Sequence, residues 1–195
     1  MCPENELKAT VIDQESLPEN YPTHRHAPEF WESLGRVVAS FGFLEMLLGK
    51  AIFALSATRP YPVDQIDAAY EKWLPKLERA LTDPLGSLIE SFGKAVREHP
   101  SSASEDLDDL LNDLRKVKVY RNVLCHGSWG PPDEHGKCIP FFVDNNKQVF
   151  ETEIDLEFLR KLQSGVAELS CCVSDAVTVT GFRFPGSSGP GKEIQ

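Results

Sequence analysis

The chain is short of positive charge, has few cysteines, and holds no long unbroken apolar run. Lysine and arginine number 20 against 30 aspartates and glutamates, a formal net charge of −10. Broad clamping of duplex DNA is excluded on this ground, because such binding rests on many phosphate contacts from Lys and Arg. A local basic pocket is compatible with a negative total. No stretch approaches ~18 uninterrupted apolar residues, so no membrane span is expected. Residues 1–6 lack the basic start and apolar run of a signal peptide. The five cysteines (Cys2, Cys125, Cys138, Cys171 and Cys172) are odd in number, irregularly spaced and without a C-x-x-C pair. Together these absences lead to the expectation of a cytoplasmic chain with reduced thiols. There is no internal repeat, no G-x-G-x-x-G, no P-loop, no H-E-x-x-H and no G-x-S-x-G. Neither a cofactor nor a metal is expected, since no cluster of carboxylates is spaced to hold an ion.

What the chain does have is helical periodicity. At 195 residues it is long enough for one domain with tails. Residues 1–27, with Pro3, Pro18 and Pro22, read as a loose or surface-docked arm. The His24-x-His26 pair within it has no neighbouring Cys or carboxylate at ligand spacing and reads as incidental. Residues 28–180 read as the folded unit. Its first helix is expected over 28–57, opened by Pro28 and Glu29, with an apolar stripe of Leu34, Val38, Phe41, Leu48, Ile52 and Leu55. Glu45 falls within that stripe, where an acid is costly without a partner.

A second helix is expected over 63–81, with Ile66, Ala69, Tyr70, Trp73, Leu77, Ala80 and Leu81 on its core side and, because of Pro75, a kink or break near Trp73. A third is capped by Asp83 and buries Leu85, Leu88, Ile89, Phe92 and Val96. It ends at His99, whose charge would suit the helix dipole. The fourth starts near Ser104 and carries Leu107, Leu110, Leu111, Leu114, Val117, Arg121, Leu124 and Cys125 as its stripe. Arg121 there mirrors Glu45, so packing the first helix against the fourth would let the two charges meet. Cys138 to Glu151 reads as a β-hairpin around Asp144-Asn145-Asn146-Lys147, with Pro140 confining its strand to an edge. Asp155 caps a last helix with Leu159, Leu162, Val166, Leu169, Cys172, Val173 and Ala176 inward. Residues 181–195 read as a flexible tail. The expected class is therefore all-α: an up-and-down bundle of four to five helices with a small hairpin before the last.

The densest chemistry lies at Arg121-Asn122-Val123-Leu124-Cys125-His126-Gly127. Arg121 and His126 are separated by about 140° on an ideal helix, but arginine is long and His126 lies where the helix is about to end. A histidine titrating near neutrality can take a proton from a ribose 2′-OH or give one to a leaving 5′ oxygen. A guanidinium forks onto the non-bridging phosphate oxygens and stabilises charge that builds there. Asn122 can orient the histidine or bind phosphate. Arg115 and Lys118, in the turns before, add positive charge suited to a substrate backbone. A second reading of the same residues stays open: Arg121 as a structural partner of Glu45, with Asn122 and His126 finishing the helix.

A helical frame carrying Arg121-Asn122-x-x-x-His126 resembles the HEPN superfamily, whose motif is an arginine, four to six residues and a histidine, commonly with asparagine second. The continuation His126-Gly127-x-Trp129 resembles small bacterial members with R-N-x-x-x-H-G-x-W. Glu45, in Phe43-Leu44-Glu45, resembles the acid found on an early helix of such proteins. The resemblance covers roughly residues 29–179. It implies a metal-independent endoribonuclease acting on single-stranded RNA and leaving 2′,3′-cyclic phosphate ends. It implies a homodimer with motifs facing across a cleft, and a toxin–antitoxin, phage-defence or RNA-processing setting with an antitoxin or regulatory partner. Arg121, Asn122, His126 and Glu45 would carry the chemistry, and Trp129, Arg115 and Lys118 would touch the substrate. Many members are non-catalytic binding modules, which is the alternative function.

Overall fold

In the computed structural model, residues 9–80, 83–102 and 106–186 are described, apart from the side chains of residues 72, 73 and 76–80. Five α-helices carry the fold: α1 (Pro28–Ala57), α2 (Ile66–Ala80), α3 (Leu85–Glu98), α4 (Leu107–His126) and α5 (Leu156–Thr178). The class is all-α. Helix α1 is the hub, touching each of the other four and packing most extensively on α5 and then α3.

The reason lies in α1's sequence. Pro28 sits in its first turn, where the missing N–H costs nothing. Its second half, Leu44 to Leu55, buries Leu44, Leu47, Leu48, Gly49, Ala51, Ile52, Ala54 and Leu55, nearly all round the helix. A helix apolar on every side belongs in the centre. Helix α1 is also long and apolar enough to cross a membrane, and half of that apolar window, 50%, is buried inside the protein. The interrupting glycines and Lys50 are what hid this from a search for an unbroken run.

The expected stripe on α1 is rotated slightly. Val37 and Leu44 are fully buried, whereas Leu34 and Val38 are only partly so. Glu45 therefore lies at the edge of the core, not at its centre. Helix α3 buries Leu85, Leu88, Ile89, Phe92 and Val96 as its period demands. Its cap position is Pro84, not Asp83, and no side chain caps it. Helix α5 starts at Asp155, whose carboxylate accepts from the Phe158 N–H at 2.7 Å. Its inward residues are Leu159, Leu162, Val166, Ser170, Val173 and Val177, while Cys171 and Cys172 are exposed. The expected face holds at Leu159, Leu162, Val166 and Val173, with Leu169 and Ala176 packed against the core; Cys172, one position from Val173, falls outside it.

Helix α2 departs most from expectation. It runs through Pro75 without a break, preceded by a 3₁₀ turn at Val63–Gln65. Ile66 and Tyr70, expected to face the core, are exposed. The side chains of Trp73, Leu77 and Ala80, and Leu81 as a whole, lie outside the described residues. So do Ser104 and Glu105 at the expected start of α4, residues 1–8 of the arm, and residues 187–195.

The hairpin is a correction. Residues 127–155 form no continuous ladder; three isolated antiparallel bridges join Ser128 to Phe141, Cys138 to Ile154 and Val143 to Val149. The expected Asx turn is present, with the Asp144 carboxylate accepting from the N–H groups of Asn146 and Gln148. The bridges at Cys138 and Val143 share one antiparallel register, but between them Pro140 has no N–H to donate and Phe141 pairs with Ser128 instead. The result is a folded loop and not a two-stranded element.

Both ends dock. His26 is buried, its Nε2–H donating to the Gly130 carbonyl at 2.8 Å, and its ring stacks on Phe30 with centroids 4.3 Å apart. Phe184 is buried in the core, and Phe182 meets the His99 ring edge-on. His99 itself is buried and does not serve as an exposed charge at the end of α3. The Ser101 N–H donates to its Nδ1 at 3.3 Å, so the ring proton is on Nε2, facing the Thr58 hydroxyl. Thr58 in turn donates to the Ala54 carbonyl. The ring thus ties α3 to the end of α1.

Candidate active site at the end of helix α4

Leu111, Leu114, Val123 and Leu124 bury one side of α4. They hold the helix so that Arg121 points toward α1. There its Nε donates to Oε1 of Glu45 at 3.1 Å, with 29% of the arginine side chain and 26% of the glutamate exposed. The meeting of α1 and α4 through opposite charges follows the sequence reading; the depth does not, since the pair lies at the rim of the core. Because Glu45 uses Nε, the guanidinium keeps its terminal amino groups for another anion. Among the described residues no second acceptor is within hydrogen-bond distance of them.

Asn122 is half-buried and His126 is exposed. Their spacing of four residues puts them on one side of the helix. No hydrogen bond joins them, and none reaches either side chain among the described residues. The expected orienting of His126 by Asn122 is therefore not made in this state. Cys125, expected on the core stripe, is exposed.

The helix stops after His126 for a spatial reason. The Gly127 N–H donates to the Val123 carbonyl at 2.7 Å, and Gly127 has an ordinary extended backbone, φ −71 and ψ 147. A Cβ at Gly127 would lie 2.6 Å from that carbonyl oxygen and 3.2 Å from Cβ of Pro140. Glycine is needed for room, not for a left-handed turn. Gly127→Ala is expected to cost about 1–3 kcal/mol, which for a chain of this size lowers Tm by about 2–12 °C. An unchanged melting curve would contradict this account of the helix end.

The loop after Gly127 is pinned from two directions. Ser128 and Phe141 exchange both backbone hydrogen bonds, at 2.9 and 2.8 Å. Trp129 is half-buried in an aromatic group with Phe30 (centroids 5.3 Å), Trp31 (6.2 Å) and His26 (6.4 Å). Trp31 donates its indole N–H to the Thr23 carbonyl at 2.8 Å. The arm thus braces the segment that follows His126. Sequence reading passed over His26, because nothing in the spacing of residues 23–26 points across 104 residues to Gly130. The only signal was the aromatic pair Phe30-Trp31 four and five residues on.

Two expected substrate contacts lie elsewhere. Arg115 forks onto Glu90 of α3, Nε to Oε1 at 2.8 Å and Nη2 to Oε2 at 2.9 Å. The guanidinium hydrogen bond holds the Glu90 carboxyl below its ordinary range, and Glu90 raises Arg115 in return. Lys118 lies across Gly86 of α3, where a Cβ would come within 3.3 Å of its Cδ. Both side chains are turned to α3 while Arg121 is turned to α1. The structure brings Glu45 and Arg121 together, with Asn122 and His126 on the turns that follow.

Comparisons of the chain with protein-family models, with curated proteins and with solved structures found no match. The functional reading therefore rests on the geometry itself.

Proposed function

We propose that the chain is a HEPN-like endoribonuclease that cleaves single-stranded RNA by attack of a ribose 2′-OH on the adjacent phosphate, without a metal. The observation that carries the reading is the Arg121–Glu45 contact at 3.1 Å beside an exposed His126. Glu45 fixes the stem side of the guanidinium, leaving its outer face to fork onto non-bridging phosphate oxygens. His126, with solvent access, moves the proton at the 2′ or 5′ oxygen. Asn122 is a phosphate or histidine ligand once substrate is bound. The helices form an up-and-down bundle. Two copies associate so that their α4 ends face one cleft, and an antitoxin or other regulatory protein controls access in a cytoplasmic toxin–antitoxin or phage-defence setting.

This mechanism needs the 2′-OH at the cut. Cleavage should occur in EDTA, leave a 2′,3′-cyclic phosphate, and vanish at any position carrying a single 2′-deoxynucleotide. Continued cutting at a 2′-deoxy position would contradict attack by the 2′-OH.

The Arg121–Glu45 pair also favours a second reading, in which the motif is an internal ion pair within a non-catalytic interaction module. In that case the protein would hold a partner and leave RNA intact.

A further inference from the structure

We infer that His26 is a positioning residue for His126: through the Gly130 carbonyl it fixes the course of the chain leaving α4, and so the direction in which the His126 ring points. The inference rests on the ribonuclease reading above. The His126 side chain makes no hydrogen bond among the described residues, so its own backbone aims it. Its place is as firm as the few residues that follow it. Those residues are tied to three separate parts of the fold. The Gly127 N–H donates to the Val123 carbonyl at 2.7 Å, Ser128 and Phe141 exchange bonds at 2.9 and 2.8 Å, and the Gly130 carbonyl accepts from His26 at 2.8 Å. The first two ties are backbone to backbone. The third alone depends on a side chain.

The choice of that side chain is informative. His26 is buried, stacked on Phe30 and edge-on to Trp31 and Trp129. A phenylalanine would fill such an aromatic setting without the cost of burying a polar ring. What histidine adds is one directed donor. A carbonyl oxygen only accepts, so Nε2 carries the proton, and the bond sets both the distance and the rotation of Gly130 against the arm. Packing does not hold Gly130 instead, because open space surrounds the point where its Cβ would be. The other donor to this carbonyl is the Cys138 thiol at 3.6 Å, a weak one. Thr23 and Trp31 close the arm's own turn, the indole N–H donating to the Thr23 carbonyl at 2.8 Å, so His26 is itself presented from a fixed base. The arm therefore acts on the site without touching substrate. Misplacing a reacting group by about 1 Å is enough to slow a reaction by about 10²-fold.

Two variants of the full chain separate the ring from the hydrogen bond. His26→Phe keeps the stacking and removes the donor. His26→Gln removes the ring and can set an amide N–H where Nε2 stood. Each is studied below its own melting transition. Single-turnover cleavage of one unmodified single-stranded RNA in EDTA is followed over a range of protein concentrations. His26→Phe should lower the maximal rate by about 10–10²-fold and leave the half-saturating protein concentration unchanged, since no contact to RNA is removed. His26→Gln should recover most of the rate although it packs less well. Backbone amide exchange, followed by NMR without RNA, reads the same tie independently. The Gly127 and Ser128 N–H groups should exchange about tenfold faster in His26→Phe and near the wild-type rate in His26→Gln. A full cleavage rate in His26→Phe overturns the proposal, as does a His26→Gln no faster than His26→Phe. A raised half-saturating concentration at an unchanged maximal rate would make the loop a binding element and also overturn it. Equal amide exchange in all three proteins overturns it whatever the cleavage. A wild type that cuts nothing while exchange follows the expected order keeps the tie that aims His126 and loses the ribonuclease.

Discussion

Arg121→Ala is expected to lower cleavage of single-stranded RNA by about 10²–10³-fold and to destabilise the fold as well. The two effects have different origins and can be separated. The rate effect comes from losing a fixed positive charge where the phosphorane's negative charge develops, a loss that water cannot replace at the helix rim. The stability effect comes from Glu45. With the guanidinium gone, a carboxylate only 26% exposed keeps its desolvation and loses its partner at 3.1 Å. For a pair between surface and core the expected cost is about 1–3 kcal/mol. The double variant Glu45→Ala/Arg121→Ala should therefore be no less stable than Arg121→Ala alone, because no charge is stranded. Its cleavage should stay lost. Arg121→Lys should restore part of the stability and little of the rate, since an ammonium cannot fork onto two phosphate oxygens. Thermal unfolding and single-turnover cleavage of the wild type and the three variants check this. A full rate in Arg121→Ala would leave only the structural role.

His126→Ala should give the larger rate loss, about 10²–10⁴-fold, with an unchanged melting temperature. The contrast with Arg121 follows from exposure. His126 is the last residue of α4, is open to solvent and shares no hydrogen bond among the described residues. Truncating it removes no packing. The groups holding the helix end, Val123, Leu124 and the Gly127 N–H, are untouched. A stable variant with lost activity is the signature of a group that acts on substrate. A stable variant with full activity would mean that another residue moves the proton.

Much of the frame was legible because helical period is a strong signal. The ends of α1 and the core face of α3 followed directly from it, and the Glu45–Arg121 contact followed from finding one acid and one base each near an apolar stripe. What failed did so for identifiable reasons. On α1 the C-terminal half is apolar all round, so periodicity could not fix its rotation, and Val37 and Leu44 proved more buried than Leu34 and Val38. On α2 an amphipathic pattern was assumed to face the core, yet Ile66 and Tyr70 are exposed, because amphipathicity states that a face exists and not what covers it. The hairpin failed because strand propensity over residues 138–151 does not reveal that the ladder is interrupted at Pro140 and that Phe141 pairs with Ser128. At the site, the types Arg121, Asn122 and His126 were readable, but their supports were not. The bracing of Trp129 by His26 and Phe30, and the pairing of Ser128 with Phe141, are contacts between distant segments that no local pattern encodes. The partner of Arg115 on another helix, Glu90, is likewise invisible in the sequence of its own.

The central claim is that Arg121 and His126 form a site that cuts RNA. Its most direct test is single-turnover cleavage of one unmodified single-stranded RNA in EDTA by wild type and by His126→Ala at matched folding. The account predicts fragments ending in 2′,3′-cyclic phosphate from the wild type and a rate lower by about 10²–10⁴-fold in the variant. Equal rates, or no cutting by either protein, would contradict it.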